Sequence, residues 1–162
     1  MNVLLVRVDD RFIHGQILES WIPHLNAQGV VVANDELAGD QIQKTIMSMA
    51  IPERIRLRIV SLDDAGRMTA DCEFNEKRTL VIVSTIKDAH RLFAAGFPFK
   101  RLNIGHNTSR TDSRQVSYSV WVDREDLRLV RELIEKGVEV TLQSVPSERC
   151  IDIRSILDMV EP

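Results

Sequence analysis

The chain is short of aromatic residues, short of cysteine and without a long apolar run, and each shortage removes a class of function. Phe, Trp and Tyr make up only 5% of the 162 residues, and 21 basic side chains are interspersed with 24 acidic ones for a net charge of −3. With no basic stripe and few stacking rings, no nucleic-acid surface is expected. Cys72 and Cys150 lie far apart, outside any metal-ligand spacing, and are expected to be free thiols or small core residues. No apolar stretch reaches the ~18 residues of a membrane span. The opening MNVLLVRVDD meets acids too early for a secretory signal, so a cytoplasmic protein is expected. No G-x-G-x-x-G turn, G-K-[ST] tripeptide or H-E-x-x-H pair occurs, which argues against a nucleotide or metal enzyme; no metal and no cofactor are expected.

What is present is an alternation. Short runs rich in Val, Ile and Leu recur at Val3 to Val8, Val30 to Ala33, Ile55 to Val60, Leu80 to Val83, Leu102 to Ile104 and Val138 to Leu142, and read as buried strands. Between most of them lie helical stripes, one of Ile17, Leu18, Trp21, Ile22 and Leu25 and a second of Leu37, Ile42, Ile46 and Met49. Further helices are expected from about Ala89 to Ala95, before Gly96, and from Asp123, as N-cap, to Lys136, with Gly137 as the stop. The tail Ile151, Ile153, Ile156, Leu157 and Val160 reads as an amphipathic helix packed on the sheet. Repeated strand–helix units force parallel pairing. The expectation is therefore a single domain over 1–162, an α/β three-layer α/β/α sandwich around a mostly parallel sheet of about six strands.

Ligands in such sheets sit beyond the carboxyl ends of the strands. That rule gathers Asp9 to Gly15, Asn34 to Asp35, Ser84 to Lys87 and Gly105 to Arg114 on one rim. The first of these loops is the densest in chemistry: Arg7-Val-Asp-Asp-Arg-Phe-Ile-His14-Gly15-Gln16 places two arginines, two carboxylates, a histidine and a glycine between a strand and a helix. An imidazole there is a nucleophile, and the free N–H groups of the helix start favour an incoming phosphate. Gly15 lets backbone approach phosphate oxygens, Arg11 and Arg7 offer forked donors, and Asp9 or Asp10 is placed to orient the ring. A plainer reading, a surface histidine hydrogen-bonded to nearby acids, fits composition and spacing equally well.

Taken as a string, RVDDRFIHGQI at Arg7 to Ile17 closely resembles the active-site signature of IIB domains in the mannose/fructose/sorbose family of the bacterial phosphotransferase system. The likeness extends through VVVANDELAGD at Val30 to Asp40, LNIGHN at Leu102 to Asn107 and Val116 to Ser147, nearly the whole chain. The resemblance implies that His14 accepts phosphate from a IIA phosphohistidine and passes it to a sugar entering through membrane IIC and IID subunits, with Arg11 as the nearby arginine; Asp10 is expected beside them from the loop's own composition. It implies a sugar phosphotransferase needing no cofactor, held peripherally at the inner membrane by IIC and IID, with Nδ1 as the phosphorylated nitrogen. Arg7, Gly15, Gln16, His106 and Asn107 are the expected phosphate or substrate contacts. Homo-oligomerisation is left open.

Two departures from the family pattern stand out. Gln43 occupies the place of a basic residue that assists transfer to sugar, and Gly105-His106-Asn107 replaces the usual Gly-Gly-Met. They motivate an alternative function, a regulatory module whose phosphorylation reports transport status without donation to sugar. Of the remaining candidates, His24 and His90 lie on predicted helices without a motif, Ser84 suits a helix N-cap, Asp35 suits a helix start, and Ser109 to Arg114 suits a solvated turn. Trp21 and Trp121 read as core or interface anchors. Phe12 and Ile13, at the loop tip, are candidates for docking a partner whose histidine must come close.

Overall fold

β-Branched runs pack well on a pleated surface buried on both sides, and the strands form where those runs lie. The computed structural model describes residues 1–68 and 74–160, with side chains described through 157, so Cys72 lies outside the described residues. Its strands are β1 (Asn2–Asp9), β2 (Gly29–Ala33), β3 (Arg56–Val60), β4 (Arg78–Val83), β5 (Arg101–His106), β6 (Arg114–Ser117), β7 (Val120–Val122), β8 (Glu139–Leu142) and β9 (Ile151–Asp152). Seven of them make one sheet in the order β3-β2-β4-β1-β5-β8-β9. All its pairings are parallel except β8 with β9. The six predicted strands are there; the seventh comes from the tail expected to be wholly helical, where Ile151 pairs with Leu142 before the helix begins. A separate antiparallel hairpin, β6–β7, follows β5.

The helices are α1 (π-helical over Ile17–Trp21, then α-helical over Ile22–Leu25), α2 (Asp35–Gly39), α3 (Gln41–Ala50), α4 (Leu62–Arg67), α5 (Ile86–Ala94), α6 (Arg124–Glu135) and α7 (Arg154–Val160). The widened π turn of α1 lies just before Pro23, which has no N–H to give to the ladder. Side chains alternating along the central strands divide the core between the two faces of the sheet. Val6, Val8, Val31, Val81 and Val83 pack with residues of α4 to α7. Leu5, Val30, Val32, Leu80 and Ile82 pack with Ile17, Trp21 and Ile22 of α1 and Met47 of α3. This is the expected α/β/α sandwich.

The second predicted stripe departs from expectation. Asp40 has extended backbone and caps Gln43 N–H at 3.0 Å, so the chain breaks there and restarts as α3 in a different phase. Met47 therefore turns to the sheet, and Ile42, Ile46 and Met49 stand outward at 73%, 54% and 82% exposure. The α6 reading fares better. Asp123 and Asp126 form a reciprocal capping box, and Gly137, at φ +87°, ends the helix as predicted.

Candidate active site

All four predicted loops follow the C-terminal ends of parallel strands, β1, β2, β4 and β5, so they share one rim. Adjacent β1 and β5 build its centre. Their register slips by one residue between Val8 and Asp9, leaving Gly105 as the extra residue of β5, so that Asp9 pairs with His106. A Cβ on Gly105 would lie 2.0 Å from the guanidinium of Arg7. Only glycine admits that side chain.

Arg7 is fully buried, and all its N–H groups are committed. It donates to Asp9 Oδ2 from Nε (3.3 Å) and Nη2 (3.0 Å), to the Gln143 and Ser144 carbonyls (2.9 Å each) and to Asn103 Oδ1, and its guanidinium lies 4.7 Å over the Trp21 ring. Burial pulls its pKa down to about 10, against the raising influence of Asp9, which leaves it charged at neutral pH. The expectation that Arg7 contacts phosphate is therefore corrected. It is a buried support for Asp9.

Asp9, also fully buried, is the hub of the site. Its Oδ1 accepts Arg11 Nε at 3.0 Å, and its Oδ2 accepts Arg11 Nη2 at 3.1 Å and lies 2.9 Å from His14 Nε2. Burial raises the pKa of this carboxyl. Hydrogen bonds from His14 and Arg11 and the charge of Arg7 outweigh that, holding it well below the usual carboxylate range. An ionised Asp9 can only accept, so His14 Nε2 carries a hydrogen, and in the neutral ring Nδ1 has the lone pair. Of the two acids left open by sequence, Asp9 orients the ring. Asp10 turns away, its Oδ1 2.6 Å from His106 Nδ1 and its Oδ2 2.7 Å from both Thr108 N and Oγ1. Its expected place beside His14 is corrected accordingly.

The carbonyl of His14 accepts Leu18 N–H at 3.0 Å, so the histidine stands at the start of the helical turn leading into α1, where free N–H groups cluster. Gly15 has open space where a side chain would be. Gln16 accepts Arg11 Nη2 at 3.0 Å; it steadies the arginine, and Nη1 of Arg11 makes no hydrogen bond among the described residues. Phe12 is left-handed at φ +56°, a conformation a bulky residue adopts at a cost of ~1–2 kcal/mol. The strain is held because Phe12 and Ile13, the candidates for docking a partner, are half-buried against the core on the α1 face.

Asn107 is nine-tenths buried and serves the hairpin. Its side chain donates to Trp121 O at 2.6 Å and accepts Trp121 N–H at 2.7 Å, replacing a strand's own pairing, so it is not a phosphate contact. Arg110 pairs with Asp123 and Asp126, and Asp35 with Arg91 and the Leu62 N–H, so both are structural. Thr85 rather than Ser84 caps α5. His90 bonds Glu132 at 2.8 Å, and His24 is exposed beside Trp21. Trp21 is a core anchor as read, its Nε1 on Ser144 O at 2.9 Å. Sequence reasoning missed Ser144, whose carbonyl ties both Trp21 and Arg7; nothing in its local sequence marks a backbone acceptor. Asp9, Asp10 and His106 offer oxygen and nitrogen atoms within 4.8 Å of one another, but two arginines and a histidine already surround Asp9 and oppose a cation there.

Residues 3–161 match the model of the family described as PTS system sorbose subfamily IIB component. The chain belongs to this IIB family. It is 32% identical to the fructose-specific EIIB component of Bacillus subtilis strain 168, over 97% of this chain and 96% of that one. It is 33% identical to N-acetylgalactosamine-specific enzyme IIB component 2 of Escherichia coli K12, over 96% and 99%. The crystal structure of the IIB domain of the sorbose permease from Klebsiella pneumoniae superposes with a TM-score of 0.91 at 27% identity, covering 99% of each chain. This IIB protein is accordingly a phosphocarrier component of sugar import and a phosphotransferase, EC 2.7.1.-, and membership implies IIA and IIC/IID partners. No helix among the described residues is long and apolar enough to cross a membrane.

Proposed function

We propose that His14 is the phosphate acceptor, through Nδ1, and that Asp9 and Arg11 serve it. The observation that carries this is the 2.9 Å contact of His14 Nε2 with Asp9, which fixes the tautomer and leaves Nδ1 as the nucleophile at a helix start. In the first transfer, Nδ1 forms the new P–N bond while the bond to the IIA histidine breaks and its electron pair returns to that ring. Positive charge then grows on the His14 imidazole, facing the ionised Asp9. The free Nη1 of Arg11 is placed for the phosphoryl oxygens, whose charge spreads during transfer. In the second transfer the same bond is broken towards a sugar hydroxyl presented by IIC and IID, which is where this protein meets the membrane. The sugars named for the relatives differ, so its own is set by those subunits.

The test is uptake of radiolabelled phosphate from phosphoenolpyruvate through the general phosphotransferase proteins and a IIA partner, in wild type, His14→Ala and, as control, His24→Ala. Acid-labile label absent only from His14→Ala is the expected result. Label retained by His14→Ala overturns the assignment, and phosphohistidine NMR showing an Nε2 adduct overturns the choice of nitrogen. Following the labelled protein with IIC/IID membranes and sugar then decides between donation and the regulatory alternative raised by Gln43.

A further inference from the structure

Two aspartate–histidine pairs stand side by side where β1 and β5 end. Asp9 holds His14 and Asp10 holds His106, and Asp9 is the ladder partner of His106. Atoms of Asp9, Asp10 and His106 come within 4.8 Å of one another, so the second imidazole lies beside the carboxylate that anchors the first. Both rings reach solvent at this rim, with side-chain exposures of 18% for His14 and 29% for His106.

The two pairs set opposite tautomers. Asp10 Oδ2 accepts two hydrogens from Thr108, and its Oδ1 faces His106 Nδ1 at 2.6 Å, where a carboxylate oxygen accepts the ring's N–H. In the neutral ring that donates so, the lone pair of His106 is on Nε2, which has no hydrogen-bond partner among the described residues. His14, held at Nε2 by the neighbouring Asp9, leaves Nδ1 as its open nitrogen. An imidazole held by a carboxylate at one nitrogen and open at the other is the arrangement that makes a histidine a proton acceptor.

We propose that the Asp10–His106 pair is the general base for the second transfer, taking the proton of the acceptor hydroxyl as the phosphoryl group leaves His14. This rests on His14 being the carrier. The acceptor oxygen forms the O–P bond, the P–Nδ1 bond breaks with its electron pair returning to His14, and the hydroxyl proton passes to His106 Nε2. The resulting imidazolium faces Asp10, then gives its proton to water. His106 thus acts on the acceptor, and the departure from Gly-Gly-Met supplies a base where small and apolar residues are expected.

Water is an acceptor hydroxyl that needs no identified sugar, so the purified phosphoprotein, freed of IIA, carries the test. Loss of label is timed in wild type, His106→Gln, Asp10→Asn and His106→Ala with added imidazole. A general base contributes about 10²–10⁴-fold for a positioned acceptor, and for unpositioned water about tenfold is expected. Label should survive about tenfold longer in His106→Gln and in Asp10→Asn, wild-type loss should slow in D2O, and imidazole should restore the rate in His106→Ala. A merely structural tie between the strands gives no imidazole rescue. Lifetimes within twofold of wild type overturn the proposal, as do shortened ones, which would mean that His106 donates to the phosphoryl group. Label that never forms, or that persists in His14→Ala, overturns the carrier reading and this proposal with it.

Discussion

Replacing Arg7 by Met removes a charge that never meets solvent, and the structure sets the scale of the loss. Two N–H groups leave Asp9, two leave the Gln143 and Ser144 carbonyls and one leaves Asn103, while Asp9 stays buried with only Arg11 and His14 against it. Breaking a buried pair from one side costs about 3–5 kcal/mol, because the remaining partner is stranded. At about 2–4 °C per kcal/mol for a domain of this size, the melting temperature falls by about 6–20 °C. Asp9→Asn strands the other partner. The double variant strands neither charge, so its loss should fall short of the sum of the two singles by at least about 1 kcal/mol. Calorimetry and urea unfolding at pH 7 measure all three. Acid adds a second signature: the unfolded chain binds a proton at Asp9 near pH ~4, whereas the folded carboxyl resists it. The stability from Asp9 is thus present above that pH and lost as pH falls towards the depressed folded value, a slope that Asp9→Asn should lack. An Arg7→Met protein within ~1 kcal/mol of wild type, or a cycle additive within ~0.5 kcal/mol, would refute the buried hub.

Gly105→Ala drives a methyl into the Arg7 guanidinium, and should lower stability by at least ~1–3 kcal/mol in thermal melts while slowing phosphate uptake. Arg11→Ala should slow acceptance from IIA by about 10²-fold in rapid-quench assays and, its side chain being 36% exposed where that of Arg7 is fully buried, should cost less stability than Arg7→Met in thermal melts. Asp123→Ala removes the α6 cap and should lose ~1 kcal/mol of stability, read as a lower urea midpoint, with no effect on phosphate uptake.

The fold was legible where local pattern and tertiary role agree. Buried parallel strands are continuous apolar runs, and the α6 cap and its stop at Gly137 are local chemistry, so these were read to within a residue or two. Asp40 shows the limit, since one extended residue rephases α3 and turns an apparent core stripe outward. The two-residue β9 is set by what lies across from it, the end of β8, which no local pattern announces. In the candidate site, the sequence singled out the loop but could not rank Asp9 against Asp10 as the partner of His14. Adjacent strand residues point to opposite faces, and the slip at Gly105 decides which carboxylate meets which ring. Arg7 was misjudged for the same reason: exposure cannot be read from a motif.

The tie from Arg7 to the carbonyls of Gln143 and Ser144 spans more than 130 residues of sequence. The support of the first loop therefore leaves a ribosome more than 130 residues after the loop itself. A nascent chain would display the whole Arg7 to Gln16 signature long before anything holds its aspartate in place. The tie leaves Arg7, and with it Asp9, without this support until the sheet has closed through β8, so a copy truncated before Gln143 should lack the preformed Asp9–His14 geometry.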